Sequence, residues 1–345
     1  MSEITVRLID EELIDDQVAL FNKVFGTNAS RETWTYKHYL NPLNEGSKVF
    51  GAFDRDKLIG MNAFMPMVYC YGCETIKAVQ SCENCVDLQY RRKGIFTQIV
   101  KAAQEYCANA GYDVMLGFPN DNAYPGWMKM GWNCTLGMGS LYLPCKVGNL
   151  VRTKCCGINE IVSWVLLHKI MREAKETDIT IEKMPISSYK YEINEATMNN
   201  GGIIIFEKTS EIVKWRLNAE NYVYYYAKHE GKPIVNFLIE VTKSGSNKTA
   251  KILSVAGRQI EPVMFRHAFA LLIASLSRDM DFISTFACFE SSAFTLLRQL
   301  GFMTKKKIIY FIRQIITTKP VLREILSKSD IWEPEIIEAD HTIVI

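Results

Sequence analysis

One stretch, Val79 to Trp132, leaves the chain few choices: VQSCENCVDLQYRRKGIFTQIVKAAQEYCANAGYDVMLGFPNDNAYPGWMKMGW. It opens on an apolar run, Val79 to Leu88, that predicts a buried strand. A basic turn follows, Arg91-Arg92-Lys93-Gly94. Then Ile95/Phe96, Ile99/Val100, Ala103, Tyr106/Cys107 and Ala110 recur at close to the helical period, and Gly111 stops the helix. Tyr112 to Phe118 predicts a second buried strand, followed by a polar turn and a short helix that ends at Gly131.

A strand that feeds a helix through a glycine turn leaves the first amides of that helix without partners. Those amides, the helix dipole and three adjacent cations make an anion site suited to a phosphate or pyrophosphate. Gly94 lacks a Cβ, so a ligand can come close to the backbone there. The same residues also fit an ordinary glycine-started helix flanked by solvated cations, since a lone glycine turn is weak evidence.

The order of residues around the turn favours the first reading. VDLQYRRKGIF resembles the acyl-CoA-binding motif of the GNAT N-acetyltransferase superfamily, Arg/Gln-x-x-Gly-x-Gly/Ala after a strand. Arg91 matches its first position and Gly94 its central glycine, while Phe96 stands where Gly or Ala is usual. Downstream, NDNAYPGWMKMGW resembles the second signature of the superfamily, an Asn followed by a helix ending in Gly-aromatic. WTYKHYLNPLN and VFGAFDRDKLIGMNAFMP are similar to the opening of Eis-like GNAT proteins.

At 345 residues the chain exceeds one ordinary core, and two domains are expected. Forty basic residues against 38 acidic ones give no general affinity for nucleic acid. The start, MSEITVRLIDEE, has no apolar signal region, and no apolar run approaches the roughly 18–20 residues of a membrane span. A cytoplasmic location is expected. Cys70-x-x-Cys73 and Cys82-x-x-Cys85 imitate a zinc site, but a hairpin turn at Tyr71-Gly72 would put Cys82 ~30 Å along the strand from the first pair. Free buried thiols are the expectation, with no metal.

Before the central stretch the pattern predicts a strand (Ile4 to Ile9), a helix capped by Asp10, an aromatic helix (Arg31 to Tyr39) and strands from Lys48 to Phe53 and Leu58 to Tyr69. After Trp132, strands around Cys134 to Leu143 would complete a first domain over residues 1–146. A helical linker is expected over 147–178, with an amphipathic helix from Ile158 to Lys175 bridging the halves. Residues 179–318 repeat the element order and resemble a second, degenerate GNAT domain, the WRLN stretch being similar to tandem-GNAT proteins. Residues 319–345 are left as a tail. In the second half the glycine turn is replaced by VAGRQIEPV, where Glu261 and Pro262 supply neither spare donors nor positive charge. The donor site is therefore expected in the first half only. The run Lys305-Lys306-Lys307 is expected to guard a strand edge.

The resemblance implies a mixed α/β fold and an acetyl-CoA-dependent N-acetyltransferase. The pyrophosphate of acetyl-CoA would lie on the amides of Arg92, Lys93, Gly94, Ile95 and Phe96 beside Arg91, and its pantetheine arm along Cys85, Val86 and Leu88, with Asn120 or Asn122 on the pantetheine amides, Asn122 fitting the motif better. Glu83, a carboxylate in an apolar strand where GNAT enzymes often carry one, is the candidate base, with Asp87 as a weaker alternative. The family's usual tyrosine position holds Trp127, which has no ionisable proton, so Tyr124 is the candidate acid. The implied acceptor is a small primary amine such as an amino sugar, with no nucleic acid or membrane partner and a homo-oligomer compatible. Two other classes stay open. One is a CoA-binding or sensing module without turnover, favoured by Phe96 and Trp127. The other is a FemABX-like aminoacyl transferase that takes its donor from charged tRNA, which the basic turn and balanced charge disfavour.

Overall fold

The computed structural model describes residues 4–146, 158–190, 202–257, 260–289 and 291–339. Gly201 and Arg258-Gln259, which entered the sequence reading of the second half, lie outside the described residues.

The first half runs β1 (Ile4–Ile9), α1 (Ile14–Phe25), α2 (Arg31–His38), β2 (Lys48–Asp54), β3 (Lys57–Tyr71), β4 (Glu74–Val86), α3 (Ile95–Asn109), β5 (Val114–Gly117), α4 (Tyr124–Lys129) and β6 (Asn133–Pro144). Local chemistry sets the boundaries. Asp10 caps a single 3-10 turn that leads into α1, and α1 ends on Gly26 in the left-handed region. Ser30 and Thr33 form a capping box at the start of α2. The hairpin between β3 and β4 closes with Tyr71 opposite Glu74, so Cys82 and Cys85 sit far along the strand from Cys70 and Cys73.

The second half repeats the order: α5 (Ile158–Glu173), β7 (Thr180–Pro185), β8 (Ile205–Phe206), α6 (Ser210–Arg216), β9 (Tyr222–His229), β10 (Lys232–Ser244), β11 (Asn247–Ala256), α7 (Pro262–Leu276), β12 (Phe282–Cys288), α8 (Ser292–Gln299), β13 (Met303–Ile315) and α9 (Pro320–Ser327).

All of the strands join one 13-stranded sheet, ordered β1-β2-β3-β4-β5-β13-β6-β12-β11-β10-β9-β7, with β8 paired to β3. The halves exchange their last strands. β13 pairs antiparallel with β5, and β6 lies between β13 and β12. Strand β6 was expected to complete a first domain by itself, yet both of its neighbours come from the second half. β13 pairs with β5 only from Ile312 on, so Lys305, Lys306 and Lys307 have no described strand on that side, and they fall where the register with β6 breaks, between Thr304 and Ile308.

The cores follow from this exchange. On the α1/α2 face, Trp34, Ala78, Cys82 and Leu116 share one cluster with Trp215, Phe311, Trp332 and Ile337 of the second half. On the other face, α3 and α4 cover Phe64, Val79, Met115 and Ile312. A further cluster under α7 belongs largely to the second half.

Candidate active site

Strands β4 and β5 run parallel and pair only from Ala78–Val114 to Ser81–Gly117. β5 ends there, while β4 continues to Val86 along β3. Among the described residues no strand pairs with the β5 side of Cys82 to Val86. A wedge thus opens in the middle of the sheet, with backbone amides along one wall.

Strand β4 carries a bulge inside this wedge. Ala63 pairs with Cys82 and Met61 with Cys85, so Glu83 and Asn84 together face Asn62. Glu83 takes a positive φ of 48°, uncommon for a residue with a Cβ. The bulge turns its side chain into the α2 face, where it is buried. Lys37 Nζ donates to Glu83 Oε1, and His38 Nε2 lies 3.3 Å from Oε2. His38 Nδ1 is 3.0 Å from Ser47 Oγ. A carboxylate and an ammonium taken out of water together need such pairing. Glu83 is the residue that sequence reasoning named; Lys37 and His38 were missed, although a cation-imidazole pair closing an aromatic helix was visible in WTYKH. His38, Cys82 and Glu83 also place three ligand atoms within 4.8 Å of one another. The Lys37 ammonium already supplies positive charge to this group.

Past the bulge the chain makes a one-turn 3-10 helix, Leu88–Tyr90, capped by Asp87. Asp87 is buried, and Lys23 Nζ at 2.6 Å holds its carboxyl below the usual range. It ties α1 to the turn. Cys85 is buried as well, and burial pushes its thiol up to about 12, so it stays protonated.

The glycine turn is open. Arg91, Arg92, Lys93 and Gly94 are exposed, and a Cβ built on Gly94 would meet nothing within 4 Å. Arg92 and Gly94 both adopt positive φ, 64° and 75°. Arg91 Nε donates to Val86 O at 3.2 Å, and Lys93 Nζ stands 4.7 Å over the Tyr90 ring. Helix α3 begins on Gly94 with no side-chain cap. The amides of Ile95, Phe96 and Thr97 therefore have neither an intrahelical acceptor nor a capping oxygen. The Ile95 side chain is buried in the core below and anchors the turn. Exposed cations, uncapped amides and space over Gly94 fit an anionic diphosphate.

Phe96, the departure from the motif, does not cover this turn. Its ring meets Trp127 edge-on at 4.9 Å, and a Cβ on Gly126 would lie 3.2 Å from it. Phe96 and Gly126 are thus a matched pair that brings α3 against α4, and Trp127 in turn meets Trp132 at a tilt of 59° in the core. Asn122 is exposed. It is Asn120 whose side chain accepts the amides of Asn122 and Ala123 and starts α4. Tyr124 is half-buried and stacks on Tyr310 of β13, centroids 4.1 Å apart. Glu83 and Tyr124 therefore stand on opposite faces of the sheet, and the second half contributes Tyr310 to the site.

The second half keeps the wedge. β11 and β12 pair in parallel from Thr249–Phe282 to Lys251–Ser284, and β11 carries its own bulge at Leu253, between Ser254–Leu238 and Ile252–Ile239. Here Glu335, from the segment after α9, enters it, and a cavity lined by Val255, Phe269, Thr285, Cys288, Leu297 and Pro334 remains beside it. Glu335 accepts the Val255 amide at 2.9 Å and Ser254 Oγ at 2.7 Å, and pairs with Lys208. Glu338 lies beside it, accepting Tyr69 Oη of β3, while Arg216 donates to the carbonyls of Ile337 and Glu338.

Residues 5–135 match the family model of an acetyltransferase (GNAT) domain. No curated protein matches the chain by sequence. Among solved structures, a conserved protein of unknown function from Enterococcus faecalis, described as a probable N-acyltransferase, is similar with a TM-score of 0.66 and 14% identity over 91% of this chain and 73% of its own. A GCN5-related N-acetyltransferase from Anabaena variabilis gives 0.66 at 11% identity over the same shares. The N-myristoyltransferase of Saccharomyces cerevisiae, solved with myristoyl-CoA, gives 0.55 at 12% over 91% and 83%. At these identities the likeness concerns the fold. Over residues 5–135 the chain thus carries an acetyltransferase (GNAT) domain, within an α/β fold shared with GNAT acyltransferases.

Proposed function

We propose that the first half transfers an acetyl group from acetyl-CoA to the primary amine of a small molecule, an amino sugar being the model acceptor, and that the second half is a degenerate, Eis-like partner domain. One observation carries the reading: an uncapped helix start beside three exposed cations, at the mouth of a wedge where no described strand pairs with the β5 side of β4 beyond Ser81.

In this reading the amides of Arg92 to Phe96 hold the diphosphate with Arg91, and Cys85 to Leu88 guide the pantetheine into the wedge. Acetyl-CoA, when bound, supplies an activated thioester carbonyl. The strand amides stabilise the oxyanion that develops there. An alkylamine is mostly protonated near pH 7, so it must lose a proton before it attacks. Glu83, aimed at the α2 face by its bulge, receives that proton, with His38 next to it. Tyr124 approaches from the α4 face, held flat by Tyr310, and protonates the departing thiolate. Asn122 stands at the α4 entrance for the pantetheine amides.

A second reading has its own support. Glu83 is engaged by Lys37, and a base with an occupied oxygen suits a CoA-binding module that does not turn over. Calorimetry with acetyl-CoA, paired with CoA release across an amine panel, separates the two. Binding by the wild type that Gly94→Glu abolishes is expected, because the new side chain brings negative charge and a Cβ to a residue at φ 75°. Binding without CoA release would select the module, and no binding would remove both readings.

A further inference from the structure

We infer that α5 is a membrane-surface helix, by which the protein docks on an anionic lipid bilayer. The helix uses only one side to pack. Ser163, Leu167 and Ile170 are buried, while Ile161, Val162, Trp164 and Val165 on the other sides are 49, 50, 37 and 56% exposed. Other exposed large apolar residues are scattered along the chain, which is ordinary; four within two turns form a patch. The last two turns of the outward face carry His168, Lys169 and Arg172, all exposed, with Lys175 just beyond. A groove beside them is lined by Lys146, Trp164, His168 and Arg278. Among the described residues Lys169, Arg172, Lys175 and Arg278 have no acidic partner, and Glu173 turns instead to Arg266 at 3.1 Å. Glu160 precedes Ile161 at the other end of the helix, and Glu176 and Asp279 follow Lys175 and Arg278 in sequence, so cations outnumber acids at the last two turns.

Apolar turns that include a half-exposed tryptophan and lead into cationic turns fit a helix lying in the interface with its basic end at anionic headgroups. No described helix is long and apolar enough to cross a membrane, so the contact is superficial. A second copy of the chain fits less well. Two-fold pairing over the full length of the patch sets cations against cations when the helices run parallel and cations against apolar turns when they run antiparallel, and pairing centred on the apolar turns alone leaves the cationic turns uncovered. The sequence pattern of this helix suggests a bridge between the halves, and the lack of a spanning apolar run suggests no membrane partner; the exposure of the far side of α5 points instead to a surface contact.

The full chain is sedimented with phosphatidylcholine vesicles, with and without phosphatidylglycerol, across a salt series. Binding is expected only with the anionic lipid and is expected to weaken with salt. Ile161→Asp/Val165→Asp, at exposed positions and checked by circular dichroism for an intact fold, is expected to lose it. Lys169→Gln/Arg172→Gln is expected to weaken it about thirtyfold. A wild type that stays in solution at low salt overturns the inference, as does equal binding by all three proteins. So does a wild-type dimer in light scattering that the aspartate variant turns into a monomer, because a second copy would then cover the face.

Discussion

The two halves of this chain build the same wedge and end it differently. In each, a parallel strand pair parts after a few residues, and the longer strand carries a bulge where they part. In the second half, Glu335 binds the Val255 amide and Ser254 Oγ, and Lys208 neutralises the carboxylate. Helix α7 starts on Pro262 after Glu261, a proline that lacks an amide and an acid that repels an anion. In the first half, α3 starts on an uncapped glycine among exposed cations. The difference teaches where a ligand fits. A buried amide must find an acceptor; where the chain supplies a carboxylate, the wedge is structural, and where it supplies a mouth ringed by cations, an external anion suits it.

The sharpest test of this contrast exchanges the carboxylates. Glu83→Gln is expected to lower kcat about a hundredfold to ten-thousandfold with little change in acetyl-CoA binding, measured by thiol release and calorimetry. Glu335→Gln should leave kcat near wild type. Similar losses in both would mean that the two wedges are not different in kind.

Next in size is the buried pair in the second wedge. Lys208→Met strands Glu335 without its cation and should cost about 3–5 kcal/mol of stability, read by urea unfolding. A cost under about 1 kcal/mol, the range of a surface pair, would mean that the segment is not held by that charge.

A pH effect tests the same segment. Burial pushes Glu338 from 4.5 up to about 7. The folded protein therefore holds this proton more tightly than the unfolded chain. Its contribution is fully present below about pH 4.5 and is lost as pH rises through about 7, on the order of 3 kcal/mol over that window. Unfolding free energies of wild type and Glu338→Gln between pH 5 and 8 should converge at the acid end and differ in slope, the variant being the flatter.

The smallest expected effect lies at the turn. Arg91→Ala, which removes one exposed cation, should weaken acetyl-CoA binding about tenfold and more at low salt, while Glu261→Ala should change nothing. An effect of Glu261→Ala as large as that of Arg91→Ala would give the second helix start a share in the donor site.

Much of the fold is legible in the amino-acid sequence. The periods of α3 and α7, the glycine stops and the turn at Arg91–Gly94 depend on neighbours a few residues apart, and the elements lie close to their predicted bounds. Glu83 stands out because a carboxylate in an apolar strand is costly to bury. Its partners do not, since Lys37 and His38 are remote in sequence and reach it only because a bulge turns one side chain toward α2. Tyr124 is named by its spacing, but its stacking partner Tyr310 comes from the last strand of the other half.

By itself the sequence determined the order of strands and helices, the place of the basic glycine turn and the lack of an equivalent turn in the second half. Each of these follows from short-range chemistry: side-chain period, backbone freedom at glycine, and the missing amide of proline. Tertiary structure decided that the halves exchange β6 and β13, that Glu335 enters the second wedge, and that one side of α5 is left uncovered. Those outcomes depend on which distant surfaces bury each other, and strand pairing and apolar contact are satisfied by many partners until the whole chain is packed.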